Sequence, residues 1–413
     1  MNIWLLKDGE NLPIQPDARR MRTWMLAEAL AARGHAVTWW ASTHSHQHKK
    51  LFFDADRDVD VTPRFQLKLL HAGSYRGNKS IGRLLHHARL GAKFRRLAPS
   101  LPAPDVIVSA FPTIELAFEA VEFAKPRGIP AIVDIRDPWP DSLVDHAPNA
   151  LRAAARIAIH PLEHKTKSAF RGADSLVACS QGFLEWGLNK MGMVRRSHDR
   201  VFYIGGARPP VKASGDPGRI DQLAERLAGK VIFCFVGSFG HVYRLRLVCE
   251  AAAILERKGL REAHFVLAGD GQQYDAVAEA AKALGNLTVT GWLSATETDR
   301  LMSFSQVGLA PIRQMPGCVP NKIFEYSAAG LPILSSLEGE TAEILTRHGA
   351  GLTYSPDDRE AFLSLVSRLA TNERLRHEMA QNSASMFERE FQAVRIYDEY
   401  VRHVESIARA RPH

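Results

Sequence analysis

The residues best placed to do chemistry fall in one stretch, residues 311–335, which reads PIRQMPGCVPNKIFEYSAAGLPILS. An apolar run from Val307 to Ala310 enters a loop of Pro, Gly and Cys, and Asn321 with Lys322 then opens a short helix that carries Glu325. Gly330 stops that helix before a second apolar run beginning at Pro332. A strand, a loop and a helix N-terminus in this order aim backbone N–H groups and a lysine at an anion. The carboxylate one turn further on can accept from hydroxyls. A diphosphate joined to a ribose diol offers both kinds of group. The plainer alternative is an ordinary βαβ unit whose Lys and Glu are solvated.

A second polar constellation follows the apolar run Ala131 to Ile135: Arg136-Asp137-Pro138-Trp139-Pro140-Asp141. The prolines prevent a helix there and stiffen the loop, so a guanidinium and two carboxylates are held at a strand's end. Such a loop suits polar ligand contacts, and the alternative is an Arg–Asp ion pair that pins it. Two glycine turns also follow apolar runs, Gly237-Ser238-Phe239-Gly240 and Gly269-Asp270-Gly271. Neither is the G-x-G-x-x-G of a dinucleotide fold, and no G-x-x-x-x-G-K-[ST] occurs, which weakens dehydrogenase and P-loop readings. Both turns still let a phosphate approach the backbone, with Arg244 nearby to supply charge. His44, His46 and His48 alternate, so on a strand the three rings share one face. With no Asp or Glu inside that run, a metal site is the lesser reading there.

These residues need a scaffold, and the periodicity supplies one. Ile3 to Leu6, Val37 to Trp40, Phe65 to Leu70, Asp105 to Ser109, Ala131 to Ile135, Ser175 to Ala178 and Val201 to Ile204 read as strands. Between them, Ala18 to Arg33, Glu115 to Ala124, Leu151 to Phe170 and Gly182 to Lys190 read as helices, while residues 42–65 are polar and irregular. Residues 205–219 concentrate Gly, Pro and Ser as a linker does. The rhythm then restarts with strands at Lys230 to Val236, His264 to Ala268, Leu287 to Thr290 and Val307 to Ala310, separated by helices, and a helical tail from Glu360 to Ala410. Strands alternating with helices predict α/β architecture with parallel sheets. The expected organisation is an N-terminal Rossmann-like unit over residues 1–205, a second over 206–385, and a C-terminal helix over 386–413 that crosses back to the first.

Composition removes other classes. With 46% hydrophobic and 24% charged residues the chain is globular rather than disordered. Cys179, Cys234, Cys249 and Cys318 are scattered, which suggests neither a disulfide framework nor a zinc site and fits a reducing cytoplasm. No apolar run approaches the roughly 18 residues of a membrane span, and the N-terminus lacks a signal-peptide core. The net charge of +8 is uneven: residues 1–200 hold 29 Lys and Arg against 20 Asp and Glu, and the remainder 24 against 25. An excess confined to one half suggests an anionic ligand or surface, or dispersed surface charge. Residues 79–96, KSIGRLLHHARLGAKFRR, form a basic helical segment with Ile81, Leu84, Leu85, Ala88 and Ala92 as its apolar stripe. That stripe would lie on an anionic membrane or pack on the protein's own core.

Taken together, RGHAV at 33–37, DIRDPWPDS at 134–142, VGSFG at 236–240, LAGDG at 267–271, GW at 291–292 and PNKIFEYSAAGLPIL at 320–334 resemble a family 4 retaining glycosyltransferase of the GT-B fold, of the bacterial capsule, O-antigen or exopolysaccharide type. The resemblance implies two Rossmann-like domains with parallel sheets facing a cleft, an acceptor-side first domain and a donor-side second one. Glu325 falls where the family binds the donor ribose, and Lys322 with the helix start falls near the diphosphate. Gly317, Cys318 and Val319 would offer backbone amides to the sugar and phosphate, Trp292 and Leu293 would hold the base, and Gly237, Ser238 and Arg244 would approach the phosphates. Asp270 and Asn321 complete the donor set, and Arg136 with Asp137 sits beside the transferred sugar.

Three departures stand out. Gly317 replaces the first of the family's paired glutamates, Asp17-Ala18 replaces its first-loop glycines ahead of Arg19 and Arg20, and Ser238 with Tyr243 replaces its Arg and Lys, leaving His241 and Arg244 as the nearest substitutes. The implied activity is metal-independent transfer from a nucleotide-sugar, UDP-linked, to a glycan or lipid-linked oligosaccharide, in the cytoplasm or at the inner face of the plasma membrane. The alternatives are a UDP-GlcNAc 2-epimerase-like enzyme and a non-catalytic sugar-nucleotide-binding subunit. The charge alone would suit nucleic acid, but no recognition module is present.

Overall fold

The computed structural model describes residues 1–15, 18–77, 80–145, 148–207, 218–313, 315 and 317–410. Asp17, Lys79 and most of the expected linker lie outside the described residues. The chain divides into two compact units, one made of Met1–Tyr203 with the residues from Arg395 onward, the other of Ile204–Val394.

The first unit contains β1 (Asn2–Leu6), α1 (Arg22–Ala32), β2 (Ala36–Ser42), the short pair β3 (His44–Ser45) and β4 (Lys50–Leu51), β5 (Arg57–Thr62) and β6 (Phe65–Leu70). It continues with α2 (Ile81–Leu97), β7 (Val106–Phe111), α3 (Ile114–Ala124), β8 (Ala131–Ile135), α4 (Asp141–Asp145), α5 (Arg152–Gly172), β9 (Ser175–Ala178), α6 (Gln181–Met191) and β10 (Arg200–Val201). Its sheet runs β10-β9-β8-β7-β1-β2-β6-β5 and is parallel except for β5 against β6. The inner strands are apolar on both faces because helices cover both, with β7, β8 and β9 wholly buried. Order reverses on either side of β1, between β7 and β2, and a crevice opens at the carboxyl ends of strands where order reverses.

The second unit runs α7 (Arg219–Arg226), β11 (Val231–Val236), α8 (Leu245–Arg257), β12 (Ala263–Ala268), α9 (Tyr274–Lys282), β13 (Leu287–Gly291), α10 (Ala295–Phe304) and β14 (Val307–Ala310). Then come α11 (Asn321–Ala328), β15 (Ile333–Ser335), α12 (Glu340–His348), β16 (Gly351–Thr353), α13 (Arg359–Thr371), α14 (Glu373–Met386) and α15 (Ala393–Arg409). Its six-stranded sheet, β13-β12-β11-β14-β15-β16, is parallel throughout and switches direction between β11 and β14. Phe233, Phe235, Phe265, Val248 and Leu309 are among the buried side chains of its core.

Three expectations are corrected. Residues 57–62 are a strand rather than irregular: β5 sits at the sheet edge, where charged alternation in RDVDVT is compatible with pairing on one side only. The first helix begins at Arg22 and not at Ala18, because Arg22 and Thr23 are drawn inward by Asp134 and Glu10. The stripe of α2 does not face the core: Ile81 is 76% and Leu85 51% exposed, and Ala88 and Ala92 are exposed too. Its buried face is His86, His87, Leu90, Gly91 and Phe94. The histidines are tolerated there because the His86 ring meets the Gly73 carbonyl and Asp8 at 2.9 and 3.2 Å.

Candidate functional site

The switch point of the second unit is built from the turns after β11, β12 and β14. Gly237, Gly269 and Gly271 have φ of +145°, +152° and +141°, backbone that only glycine adopts readily. The constraint is steric as well: a methyl group on Gly269 would collide with the Gly237 carbonyl. Asp270 clips the turn, its carbonyl accepting from Phe239 N at 2.7 Å and its own Oδ1 from Gly271 N at 2.6 Å. Beyond the β14 end, the Pro311 carbonyl accepts from Arg244 N at 2.7 Å, and Arg313 N donates to the Val242 carbonyl at 2.8 Å. Tyr326 joins the two strands from beneath: its hydroxyl donates to the Leu309 carbonyl at 3.1 Å and accepts from Val236 N at 3.2 Å.

Helix α11 starts at this switch point, with Pro320 as its N-cap residue. Lys322 is only 4% exposed; its Nζ donates to the Val236 carbonyl and lies 4.1 Å from the Phe235 ring and 4.8 Å from the Tyr243 ring. An ammonium is attracted to the aromatic faces it stands over. A Cβ on Gly237 would stand 2.5 Å from that Nζ, so glycine is what allows the lysine to reach the turn. Asn321 Oδ1 is buried and has no hydrogen-bond partner among the described residues. Glu325 is half-buried one turn on, and its charge adds to burial in raising the pKa of both Tyr243 and Asp299. Tyr243 and Asp299 are thus neighbours of the site that sequence reasoning did not select. Tyr243 carried a signal as the occupant of a position that the family fills with a cation.

The other expected donor residues divide. Gly317 turns the loop with φ +73°, and Cys318 N donates to the Met315 carbonyl at 3.1 Å while its own carbonyl accepts from Thr341. Val319 and Leu293 are buried, Ser238 is exposed and Trp292 is 68% exposed, its carbonyl taken by Arg219 at 2.7 Å. The guanidinium of Arg244 is committed to Asp357, beside a cavity of about 750 Å³ that Arg246, Glu250 and Arg359 also line. The structure therefore does not gather Arg244's charge with Lys322 as the sequence reading expects. Helix α8 begins immediately after it and turns the side chain toward the loop that follows β16.

In the first unit, Arg136 does form an ion pair, but with Asp134 and Glu10, where the sequence pattern suggested Asp137 or Asp141. Asp134, fully buried inside β8, is also held by Arg22 through two bonds of 2.8 and 3.0 Å. Burial alone would raise the Asp134 pKa, and the charges of Arg22 and Arg136 overcome it and hold the carboxyl at about 2. Asp137 offers its carbonyl to Trp139 N at 2.9 Å. The alternating histidines do not share a face: His44 is buried, His46 half-buried against Tyr75, and His48 exposed. Aspartates at 54, 56, 58 and 60 also alternate, and two of them are spent on lysines, Asp56 on Lys93 and Asp58 on Lys68.

Two Rossmann-like units with parallel sheets, one carrying a lysine and a carboxylate on a helix at its switch point, are the architecture of the GT-B fold. Residues 230–372 match the family model described as glycosyl transferases group 1, and residues 20–205 match the glycosyl transferase 4-like domain. Between them the models take in most of the chain, which belongs to the family 4 type of glycosyltransferases. A 2-deoxystreptamine N-acetyl-D-glucosaminyltransferase from Niallia circulans is 24% identical over 183 residues, 44% of this chain. The match spans 46%, less than half, of that relative's own length. Among solved structures, HepE of Anabaena in complex with UDP superposes with a TM-score of 0.67 at 14% identity, covering 98% of this chain and all of that one. Sucrose-phosphate synthase from Thermosynechococcus elongatus gives 0.75 at 16% identity, over 99% and 100% of the two chains. WaaG, a glycosyltransferase involved in lipopolysaccharide biosynthesis, gives 0.65 at 14% identity, over 98% and 99%. At these identities the likeness is one of fold.

Proposed function

We propose that the protein transfers a sugar from a UDP-linked donor to a hydroxyl of a glycan or lipid-linked oligosaccharide in surface-polysaccharide synthesis, retaining the anomeric configuration. The observation that carries this reading is α11, whose first turns hold Asn321, Lys322 and Glu325 at the switch point of the second sheet. In the reaction the bond between the anomeric carbon and the β-phosphate oxygen breaks, and the acceptor oxygen bonds to that carbon on the same face. The departing phosphate oxygen takes the acceptor's proton, so no protein base is named. Lys322, the α11 N-terminus and the amides of Gly317 and Val319 stabilise charge on the leaving diphosphate, the Cys318 amide being spent on the Met315 carbonyl, and Glu325 accepts from the ribose hydroxyls. Gly237, Ser238 and Asp270 shape the phosphate turn, and Trp292 and Leu293 border the base. This chemistry needs no metal.

UDP in the HepE complex and the lipopolysaccharide role of WaaG, properties of those proteins, support the donor and the pathway. The exposed stripe of α2, flanked by Arg89, Arg95 and Arg96, supports peripheral contact with an anionic membrane. Changing Glu325→Ala is expected to weaken UDP-sugar binding about tenfold or more and to reduce transfer at least as much, the loss of charge-assisted hydrogen bonds. Unchanged donor affinity and full transfer in that variant would remove Glu325 from the site.

A further inference from the structure

At the carboxyl end of β1 the sequence reads Lys7-Asp8-Gly9-Glu10, and both carboxylates are already taken. Asp8 accepts from Ser42 N at 3.1 Å and lies 3.2 Å from His86 Nε2. Glu10 accepts from Thr23 N and Oγ1 and pairs with Arg136. Lys7 Nζ, by contrast, has no hydrogen bond or ion pair among the described residues, although the side chain is half-buried.

The neighbouring loops add cations and donors around it. His46 Nδ1 lies 2.6 Å from the Tyr75 hydroxyl, Lys49 Nζ stands 5.2 Å from the centre of the Tyr75 ring, and Arg83 lies 4.6 Å over Trp139. Beneath Tyr75, at 4.4 Å between ring centres, His44 is 4% exposed with neither ring nitrogen partnered among the described residues. A buried imidazole with two open positions is costly unless something comes to use them. Burial, and then the charge of Arg136, push the Lys7 ammonium down to about 8; burial lowers the pKa of His46 and His87, and the charges of Arg83 and, more weakly, Lys7 add to it. All four therefore lie within electrostatic reach of one another. A bound anion would relieve the Lys7 ammonium on both counts.

We infer that this basin, at the carboxyl edge of the first unit's sheet, receives the acceptor through an anionic group, a phosphate ester or a carboxylate, with Lys7 as its principal counter-charge. The inference rests on the transfer reading above and adds the chemical class of the acceptor. Lys49 and Arg83 set the sign of the field, and a cationic acceptor is repelled.

The test is titration calorimetry on the full chain with UDP held saturating, so that the phosphate turn of the second unit is occupied. Four probes are compared: N-acetylglucosamine 1-phosphate, glucuronate, N-acetylglucosamine and glucosamine. One of the two anions is expected to bind at least about tenfold tighter than the neutral sugar, with the amine weakest, as a charge-assisted contact requires. Which anion binds tells phosphate from carboxylate recognition. Lys7→Met is expected to lower that affinity about tenfold and Lys7→Arg to keep most of it. Because Lys7→Met removes an unpaired half-buried charge, it is also expected to melt no lower than the parent. The inference is overturned if the neutral or cationic probe binds as tightly as the better-binding anion, if no probe binds, or if Lys7→Met leaves the anionic affinity unchanged. UDP is titrated first: a chain that takes UDP but fails these comparisons leaves the donor site standing, whereas a chain that takes no UDP overturns the transfer reading and this inference with it.

Discussion

Lys322 shows how few atoms decide the chemistry of the second unit. Its ammonium crosses the switch point because Gly237 has no side chain, and it is held there by the ring faces of Phe235 and Tyr243 and the Val236 carbonyl. Gly269 is the tightest position of the turn, since its Cβ would strike the Gly237 carbonyl in a backbone region that side chains avoid. Gly269→Ala is therefore expected to destabilise the second unit by at least about 2 kcal/mol in urea unfolding. Gly259→Ala, with φ +75° and open space around it, is expected to cost about half of that or less. Equal costs for the two would mean that the close approach of the turns has no energetic weight. Residue identities of this kind were legible in the sequence, since glycine, lysine and glutamate at their spacings mark a turn and a helix start. Their partners were not. Nothing local shows that Arg136 would reach Glu10, or that Arg244 would turn to Asp357, because those carboxylates come from distant loops, while Asp134, only two residues away, lies inside a strand.

At the scale of elements, the strands that are buried on both faces were read with little error because continuous apolar runs bounded by Gly and Pro leave few alternatives. For helix α2 the core-packing alternative fails for a physical reason: its buried face includes two histidines that hydrogen bonding and aromatic neighbours make tolerable, so the apolar stripe faces outward. β5 escaped notice because an edge strand needs only one paired side and its residues stay charged. In the part of α15 that belongs to the first unit, His403 Nε2 lies 2.9 Å from Ser175 Oγ, whose own proton goes to the His198 carbonyl, so the ring is the donor. Burial lowers His403 to about 4, as it does His46 to about 4 and His87 to about 3. An unfolded histidine titrates near 6.5, so the unfolded chain binds more protons between these values. The first unit is therefore expected to lose stability progressively as pH falls from about 6.5 toward 4, followed by thermal melts at constant ionic strength. His403→Gln should flatten part of that slope, and a melting temperature independent of pH across the window would contradict the burial of these rings in neutral form.

At the scale of the molecule, the chain places its excess positive charge in residues 1–200 and leaves the remainder near neutral, while both units use the same parallel-sheet plan. The same plan yields different sites because the switch points carry different residues, an unpaired Lys7 among histidines in one and Lys322 with Glu325 on a helix in the other. No helix among the described residues is long and apolar enough to cross a membrane. The central claim is that the second switch point holds a UDP-sugar. It is tested most directly by thermal shift with UDP-, GDP-, ADP- and TDP-linked sugars at equal concentration. UDP-sugars are predicted to stabilise the protein most, by about 2.7 kcal/mol at a hundredfold excess over Kd, with that stabilisation cut to about half or less in Glu325→Ala. A panel in which no nucleotide-sugar raises the melting temperature, or in which UDP-sugars are the weakest, would contradict the claim.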